Sequence, residues 1–317
     1  MKEVRAGLFI GDATDSEIVL SSTDHGITHL LSLVSFLPAS HGVPTSEHIT
    51  TEGVRWKPLP HLTRLWLPWD DTAEQNILDS LNICFDFIDE GLQHGQVLVH
   101  CLAGISRSAA VVIGYLMRLE HLSLEDASSS LRSVSSTASP NKAFLDQLRL
   151  FEYMGFNVDK TSMIYKKFHL EKLGELYGLG KIVESSQFAE DPALNVPINT
   201  AAVRYSLLYR CKKCRRIVAS GENVLSHEQQ GGHFHVRKRG MDTLSDNSGS
   251  VQCTSIFVEP MRWMTAVQEG GVLGKLSCAG CNVRLGSFNW AGTQCSCGTW
   301  VVPAFQLHKS RMDASKF

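Results

Sequence analysis

The chain is 317 residues long, 43% hydrophobic and 20% charged, with a formal net charge of −2 at pH 7. That composition excludes a collagen-like, low-complexity or charge-expanded disordered chain, and the length is enough for two domains. No stretch is long or apolar enough for a membrane-spanning helix, and residues 1–10 lack the apolar core of a signal peptide, so a soluble intracellular protein without a membrane partner is expected.

In chain order, Ala6–Gly11 reads as a short strand and Ile27–Val34 as a buried one, with Asp24 and His25 closing a helix between them. Residues 37–53 are polar and turn-rich. Val54–Leu59 is a weaker strand that Pro58 places at an edge or at its end. After Pro68-Trp69-Asp70-Asp71-Thr72, the positions Ile77, Leu81, Cys84, Ile88 and Leu92 recur at helical spacing. Cys84 therefore belongs to an apolar face and reads as core.

The next stretch organises the rest. The apolar run Val97-Leu98-Val99 leads into His100-Cys101-Leu102-Ala103-Gly104-Ile105-Ser106-Arg107-Ser108, and Ala109–Met117 follows as a second apolar run. A buried strand, a tight loop and a buried helix are predicted. A loop opening a helix turns its backbone N–H groups inward, where the helix dipole adds positive potential, so Leu102 to Ser106 would cradle an anion. Arg107 can grip two phosphate oxygens with its planar fork, and Gly104 lets the backbone turn. Cys101 lies at the base of that field, which should draw its thiol below the free value of about 8.5. A thiolate facing a bound phosphate is a nucleophile aimed at phosphorus, and the expected reaction is phosphoryl transfer to sulfur followed by hydrolysis, with no cofactor for the chemistry.

Beyond the loop, Ser123-Leu124-Glu125-Asp126 resembles a capping box, and Phe144, Leu148 and Phe151 line one helical face that Gly155 ends. Alternating strands and helices predict an α/β sandwich of a mostly parallel sheet flanked by helices, with a ligand at the carboxyl ends of the strands. The expected division is a catalytic domain over 1–157, a partly helical linker over 158–200 and a zinc-binding domain over 201–317.

His100-Cys101-x-x-Gly104-x-x-Arg107-Ser108 resembles the signature loop of the cysteine-dependent protein tyrosine phosphatases, and Ala103–Ser108 that of their dual-specificity branch. The resemblance implies a general acid on an Asp about thirty residues upstream. Asp70 and Asp71 both fall there, and the Phe87-Ile88-Asp89 pattern favours Asp71. It also implies that Ser108 assists breakdown of the phosphocysteine, and that His100 orients the loop and tunes the thiolate. The resemblance further implies, since classical tyrosine-specific domains are longer than this first half, a shallow pocket accepting phosphotyrosine, phosphoserine and phosphothreonine on phosphoprotein substrates.

The second half differs in cysteine content and charge. Residues 1–200 carry 15 Lys and Arg against 25 Asp and Glu, whereas residues 201–317 carry 15 against 7. Seven of the nine cysteines follow residue 210. Close cysteine pairs in a chain with no secretory signal read as metal ligands. Cys278, Cys281, Cys295 and Cys297 are expected to hold one structural zinc. Cys211, Cys214 and Cys253 would hold a second with His227, His233 or His235, of which His227 follows a short structured turn. Arg210, Lys212, Lys213, Arg215, Arg216, Arg237, Lys238 and Arg239 interleave with these ligands, which suggests RNA or an RNA–protein particle as partner. Residues 185–200 read as an extended connection and 242–250 as a polar loop. The whole arrangement resembles the zinc-binding subfamily of dual-specificity phosphatases, which implies cytoplasmic and nuclear location and a role in assembly of the large ribosomal subunit. A mainly non-catalytic assembly or scaffold protein is the alternative.

Overall fold

The computed structural model describes residues 1–37, 48–49, 53–181, 183–194, 207–227 and 253–316. His233, His235, Arg237, Lys238, Arg239, the polar loop 242–250 and most of 38–52 lie outside them. The chain divides into two compact units, Met1–Asp159 and Lys160–Phe317.

The first unit runs β1 (Lys2–Arg5), β2 (Leu8–Gly11), α1 (Ala13–Ser21), β3 (Ile27–Leu33), β4 (His48–Ile49), β5 (Val54–Leu59), β6 (Leu62–Leu67), α2 (Leu78–His94), β7 (Gln96–His100), α3 (Arg107–Glu120), α4 (Leu124–Val134) and α5 (Lys142–Tyr153). Its sheet has the order β1-β2-β7-β3-β6-β5-β4. The central strands β2, β7, β3 and β6 are parallel, and the flanking β1, β5 and β4 join antiparallel. This is the expected α/β arrangement.

Two local differences have physical reasons. The strand expected over Ala6–Gly11 is β2 over Leu8–Gly11, and Gly7, at φ +77°, turns the chain so that β2 forms a hairpin with an unforeseen β1. Strand β6 was not foreseen: it is short, sits between Pro60 and Pro68, and carries Thr63 and Arg64, so its polar residues mask a strand whose Leu62, Arg64, Leu65 and Leu67 are all buried.

The core explains why the loop after β7 is held firmly. Val97, Leu98 and Val99 are wholly buried, and every residue of α3 from Arg107 to Met117 is buried. Helix α2 presents Leu81, Cys84, Phe85 and Ile88 to this core, which places Cys84 as expected. At Gly114 an added Cβ would come within 3.0 Å of Phe85 and 3.2 Å of Leu148, so the small residue permits close packing of α3 against α2 and α5. Each fully buried Leu, Ile or Val contributes about 1.5–3 kcal/mol. Ser123 caps α4 through a hydrogen bond from the Asp126 amide, and Gly155 follows α5 at φ +73°.

The second unit contains α6 (Met163–Gly178), β8 (Leu207–Cys211), β9 (Ile217–Ser220), β10 (Val224–Leu225), β11 (Ser255–Val258), α7 (Thr265–Gln268), β12 (Leu273–Ser277), β13 (Arg284–Asn289), β14 (Thr293–Gln294), β15 (Trp300–Val301), β16 (Ala304–His308) and β17 (Met312–Lys316). It is β-rich, with antiparallel sheets of order β10-β11-β16-β13-β12, β17-β8-β9 and β14-β15. The expected linker over 158–200 is corrected here. Leu170 and Leu173 of α6 and Phe188 beyond it are buried with Val258, Leu285, Phe305 and Leu307 in one core. Tyr177 stacks on Trp290 with ring centroids 4.7 Å apart. The charges along α6 concealed this apolar face; Lys166 is buried by its stem while its ammonium donates to the Glu222 carbonyl and pairs with Glu259 at 3.1 Å.

Candidate active site and metal centres

Strand β7 ends at His100, and α3 begins at Arg107, leaving residues 101–106 as a loop at the carboxyl end of a central parallel strand. Gly104 takes φ +68°, and a Cβ there would come within 3.0 Å of the Gly11 carbonyl oxygen. Neighbouring elements pin the loop: the Ala13 amide donates to the Leu102 carbonyl at 3.2 Å and the Ser139 amide to the Ile105 carbonyl at 2.8 Å. Leu102 and Ile105 are exposed at its mouth.

Cys101 is buried at the base, its Sγ 3.2 Å from Ser108 Oγ. Burial by itself pushes the thiol up. Hydrogen bonds from the Ser108 hydroxyl and amide, the charge of Arg107 and the Gly104 amide outweigh it and hold the Cys101 pKa below the ordinary thiol value. Arg107 Nη1 donates to the Trp69 carbonyl at 2.9 Å, while its buried Nε has no hydrogen-bond partner among the described residues. A buried guanidinium N–H left open beside a thiolate and inward amides is a donor set for an anion.

The two candidate acids separate clearly. Asp71 Oδ1 accepts from Ser106 Oγ at 2.6 Å and from Asn141 Nδ2 at 2.8 Å, and its Oδ2 lies 3.9 Å from Arg107 Nε. Asp70 instead accepts from Ser35 Oγ at 2.5 Å. Only Asp71 is tied to the loop. Asn141, which also caps α5 and donates its amide to Ser106 Oγ at 3.1 Å, joins the site unforeseen. On the sheet side, His100 Nδ1 lies 3.3 Å from the Cys101 carbonyl and its Nε2 2.8 Å from Ser32 Oγ, behind which Arg64 donates. Ser32 and Arg64 were missed; the signal was a charge inside a short apolar segment between two prolines.

All eight expected metal ligands converge, but in other partnerships. One cluster is Cys211, Cys214, Cys278 and Cys281, and the other is His227, Cys253, Cys295 and Cys297. The expected grouping of Cys278 and Cys281 with Cys295 and Cys297 is therefore corrected. Cys211–Cys214 and Cys278–Cys281 form two like knuckles: Arg215 and Asn282, each four residues after the first cysteine, take φ of +66° and +61° and donate to the carbonyls of Cys211 and Cys278. Two such knuckles face each other across the fold, which sequence proximity does not reveal.

Within the first cluster, Sγ atoms of Cys211 and Cys281 are 3.7 Å apart and those of Cys214 and Cys278 3.5 Å. In the second, Cys253 Sγ is 3.5 Å from His227 Nε2. A tetrahedron with Zn–S of about 2.3 Å and Zn–N of about 2.0 Å has edges of about 3.8 and 3.5 Å, so both donor sets fit a four-coordinate ion. The Arg216 amide draws the Cys214 thiol down to about 7, while burial pushes that of Cys278 up to about 12.

Fold and loop together place a buried thiol, a guanidinium and the loop amides at the carboxyl end of a central parallel strand, the arrangement of a candidate anion site. The family described as dual specificity phosphatase, catalytic domain, matches residues 8–154. The chain is 36% identical to dual specificity protein phosphatase 12 of Homo sapiens, over 100% of this chain and 89% of that one. It is 33% identical to tyrosine-protein phosphatase yvh1 of Schizosaccharomyces pombe, over 99% and 84%. A probable inactive dual specificity protein phosphatase-like protein of Arabidopsis thaliana is 55% identical over 124 residues, 38% of this chain and 84% of that one. The chain belongs to the dual-specificity protein phosphatases, in the group of phosphatase 12 and yvh1, and is a protein tyrosine and serine/threonine phosphatase. Among the described residues no helix is long and apolar enough to cross a membrane.

Proposed function

We propose that the protein hydrolyses phosphoprotein monoesters through a phosphocysteine, and that its second unit holds two structural zinc ions and docks on a ribonucleoprotein particle. The observation carrying the first part is the convergence of Cys101, the open Nε of Arg107 and the Ser106-tethered Asp71 on one loop. The phosphate is bound by Arg107 and the amides of residues 102–106. Cys101 thiolate attacks phosphorus as the ester P–O bond breaks, and the departing oxygen takes the proton of the Asp71 carboxyl. Asp71 carboxylate then removes a proton from water as that water attacks the phosphocysteine, the P–S bond breaks, and the released thiolate accepts the Ser108 hydrogen bond. His100 shapes the loop from the sheet side.

Hydrolysis of an aryl phosphate by the full chain tests this. Turnover lost in Cys101→Ser but kept after chelation supports a phosphatase with a separate metal module; equal turnover in both proteins overturns it.

The basic face supports the docking reading. Lys212 and Lys213 are exposed beside the first cysteine cluster, whereas Arg215 and Arg216 are paired with Asp313 and Asp191. Co-sedimentation of the full chain with large ribosomal subunits at low salt, in the cytoplasmic and nuclear fractions, is expected to weaken steeply with salt and on Lys212→Glu with Lys213→Glu. Unchanged binding would remove this reading. The Arabidopsis relative described as probably inactive motivates a second reading, a scaffold in which the loop only binds phosphate. The intact set of Cys101, Arg107 and Asp71 favours the enzyme.

A further inference from the structure

A polar row crosses the inside of the phosphatase sheet, at right angles to its strands. Ser32 of β3 is the register partner of His100 on β7 and of Trp66 on β6. Arg64, two residues before Trp66, therefore shares that sheet face, and Trp56 of β5 is its cross-strand partner. Arg64 is 0% exposed, yet it carries a guanidinium. The guanidinium carbon stands 5.2 Å from the Trp56 ring, and Nε donates to Ser32 Oγ at 2.8 Å.

The Ser32 hydroxyl has two side-chain partners among the described residues, Arg64 Nε and His100 Nε2, each at 2.8 Å. A guanidinium only donates, so the hydroxyl accepts from Arg64; its own proton has no other acceptor among the described residues, and His100 Nε2 is the partner that satisfies it. In that arrangement Nε2 is the bare nitrogen of a neutral ring. The ring proton is then carried by Nδ1, which lies 3.3 Å from the Cys101 carbonyl, an acceptor. A hydrogen-bond direction set by one buried arginine thus passes through Ser32 to the root of the phosphate loop.

We propose that Arg64 is a positioning residue for the phosphatase reaction: through Ser32 it fixes His100 as the Nδ1–H tautomer and so holds the Cys101 carbonyl, and with it the loop, in its nucleophilic geometry. The inference rests on the Cys101 chemistry proposed above. Its core, the tautomer, is read without turnover, so the two can fail separately.

The first measurement is made on the unsubstituted full-length protein at neutral pH. Imidazole ¹⁵N shifts and their long-range couplings are assigned to His100 by the resonances missing from His100→Asn. An unprotonated Nε2 and a protonated Nδ1 are expected; an Nε2–H tautomer or an imidazolium overturns the proposal. The second compares Ser32→Ala, Arg64→Gln and the double variant on an aryl phosphate, each checked for a native near-ultraviolet spectrum. Each single change is expected to lower kcat by about 10- to 100-fold with little change in KM, the range that losing an orienting neighbour costs. The acidic limb of kcat/KM is expected to move to higher pH as the loop amides loosen on sulfur. The titratable and charged groups facing Cys101 there are Arg107, with Asp71 beyond it, and on the sheet side the neutral His100 with Arg64 behind. Because the two residues act in series, the double variant should be no worse than the poorer single one. Multiplying losses with an unmoved limb would make Arg64 a packing residue and overturn the proposal. If Arg64→Gln does not fold, Ser32→Ala and the tautomer still decide.

Discussion

The two units build their sites in opposite ways. In the first, the cysteine, loop amides and arginine lie within eight consecutive residues, Cys101 to Ser108, joining a strand buried from Val97 to His100 to a helix buried from Arg107 to Met117. In the second, each four-ligand cluster is assembled from segments scattered along the unit, and the two clusters interleave along the chain. A loop between two packed elements gets its geometry from the core beneath it. A cluster of donors from separate hairpins is one whose geometry and stability a bound metal would share. Local chemistry on a preformed scaffold is legible in sequence; chemistry made by closure is legible only in its residue types.

The sharpest way to break this contrast is at the nucleophile. Cys101→Ser is expected to abolish turnover while leaving the metal content and melting profile as they were, read by aryl phosphate hydrolysis beside metal analysis. A loss of metal in that variant would mean that the two units are not independent. Chelation is the converse. Structural zinc sites are worth on the order of 10–16 kcal/mol of apparent binding free energy, so a strong chelator should melt the second unit by circular dichroism and spare the hydrolysis.

Metal counting sharpens the interleaving. With the observed partnerships, Cys211→Ser combined with Cys278→Ser should cost one ion of two, and Cys278→Ser combined with Cys295→Ser both, by native mass spectrometry. Neighbouring pairs sharing an ion would give the reverse. A smaller change is expected from Asp71→Asn, which keeps the acceptor for Ser106 and Asn141 but removes the proton donor: kcat should fall by about 10²–10⁴-fold while binding of an oxyanion inhibitor persists. The smallest effect concerns pH. Because the folded-state pKa of Cys101 is lowered, the thiolate form is already present below the ordinary thiol range, and kcat/KM should rise with pH and level off early. Ser108→Ala removes the hydroxyl that favours the thiolate, so its acidic limb should sit at higher pH.

Much of the first unit could be read directly. The alternation of apolar runs gave away β3, β7, α2, α3 and α5, and the spacing of His100, Cys101, Gly104 and Arg107 located the loop, because a strand–loop–helix anion site needs those residue types at those short intervals. Asp71 could be ranked above Asp70 only by resemblance, and it took the hydrogen bond from Ser106 to separate them. Helix α6 was visible as a helix but read as part of a linker, since its charges hid the Leu170 and Leu173 face that the second core takes up.

What the sequence determined by itself was therefore everything set by near neighbours: the strand–loop–helix around Cys101, the core status of Cys84, the charge contrast between the halves and the eight residues that gather in the two cysteine clusters. What only the tertiary structure decided was everything set by strand order and hairpin docking. That includes which cysteines cluster together, where α6 packs, and that Asn141 meets the loop while Ser32, with Arg64 behind it, meets His100, Ser32 and His100 being register partners on adjacent strands. Side chains brought together by a parallel sheet are separated by whole crossover helices along the chain, so no local pattern carries the information that they meet.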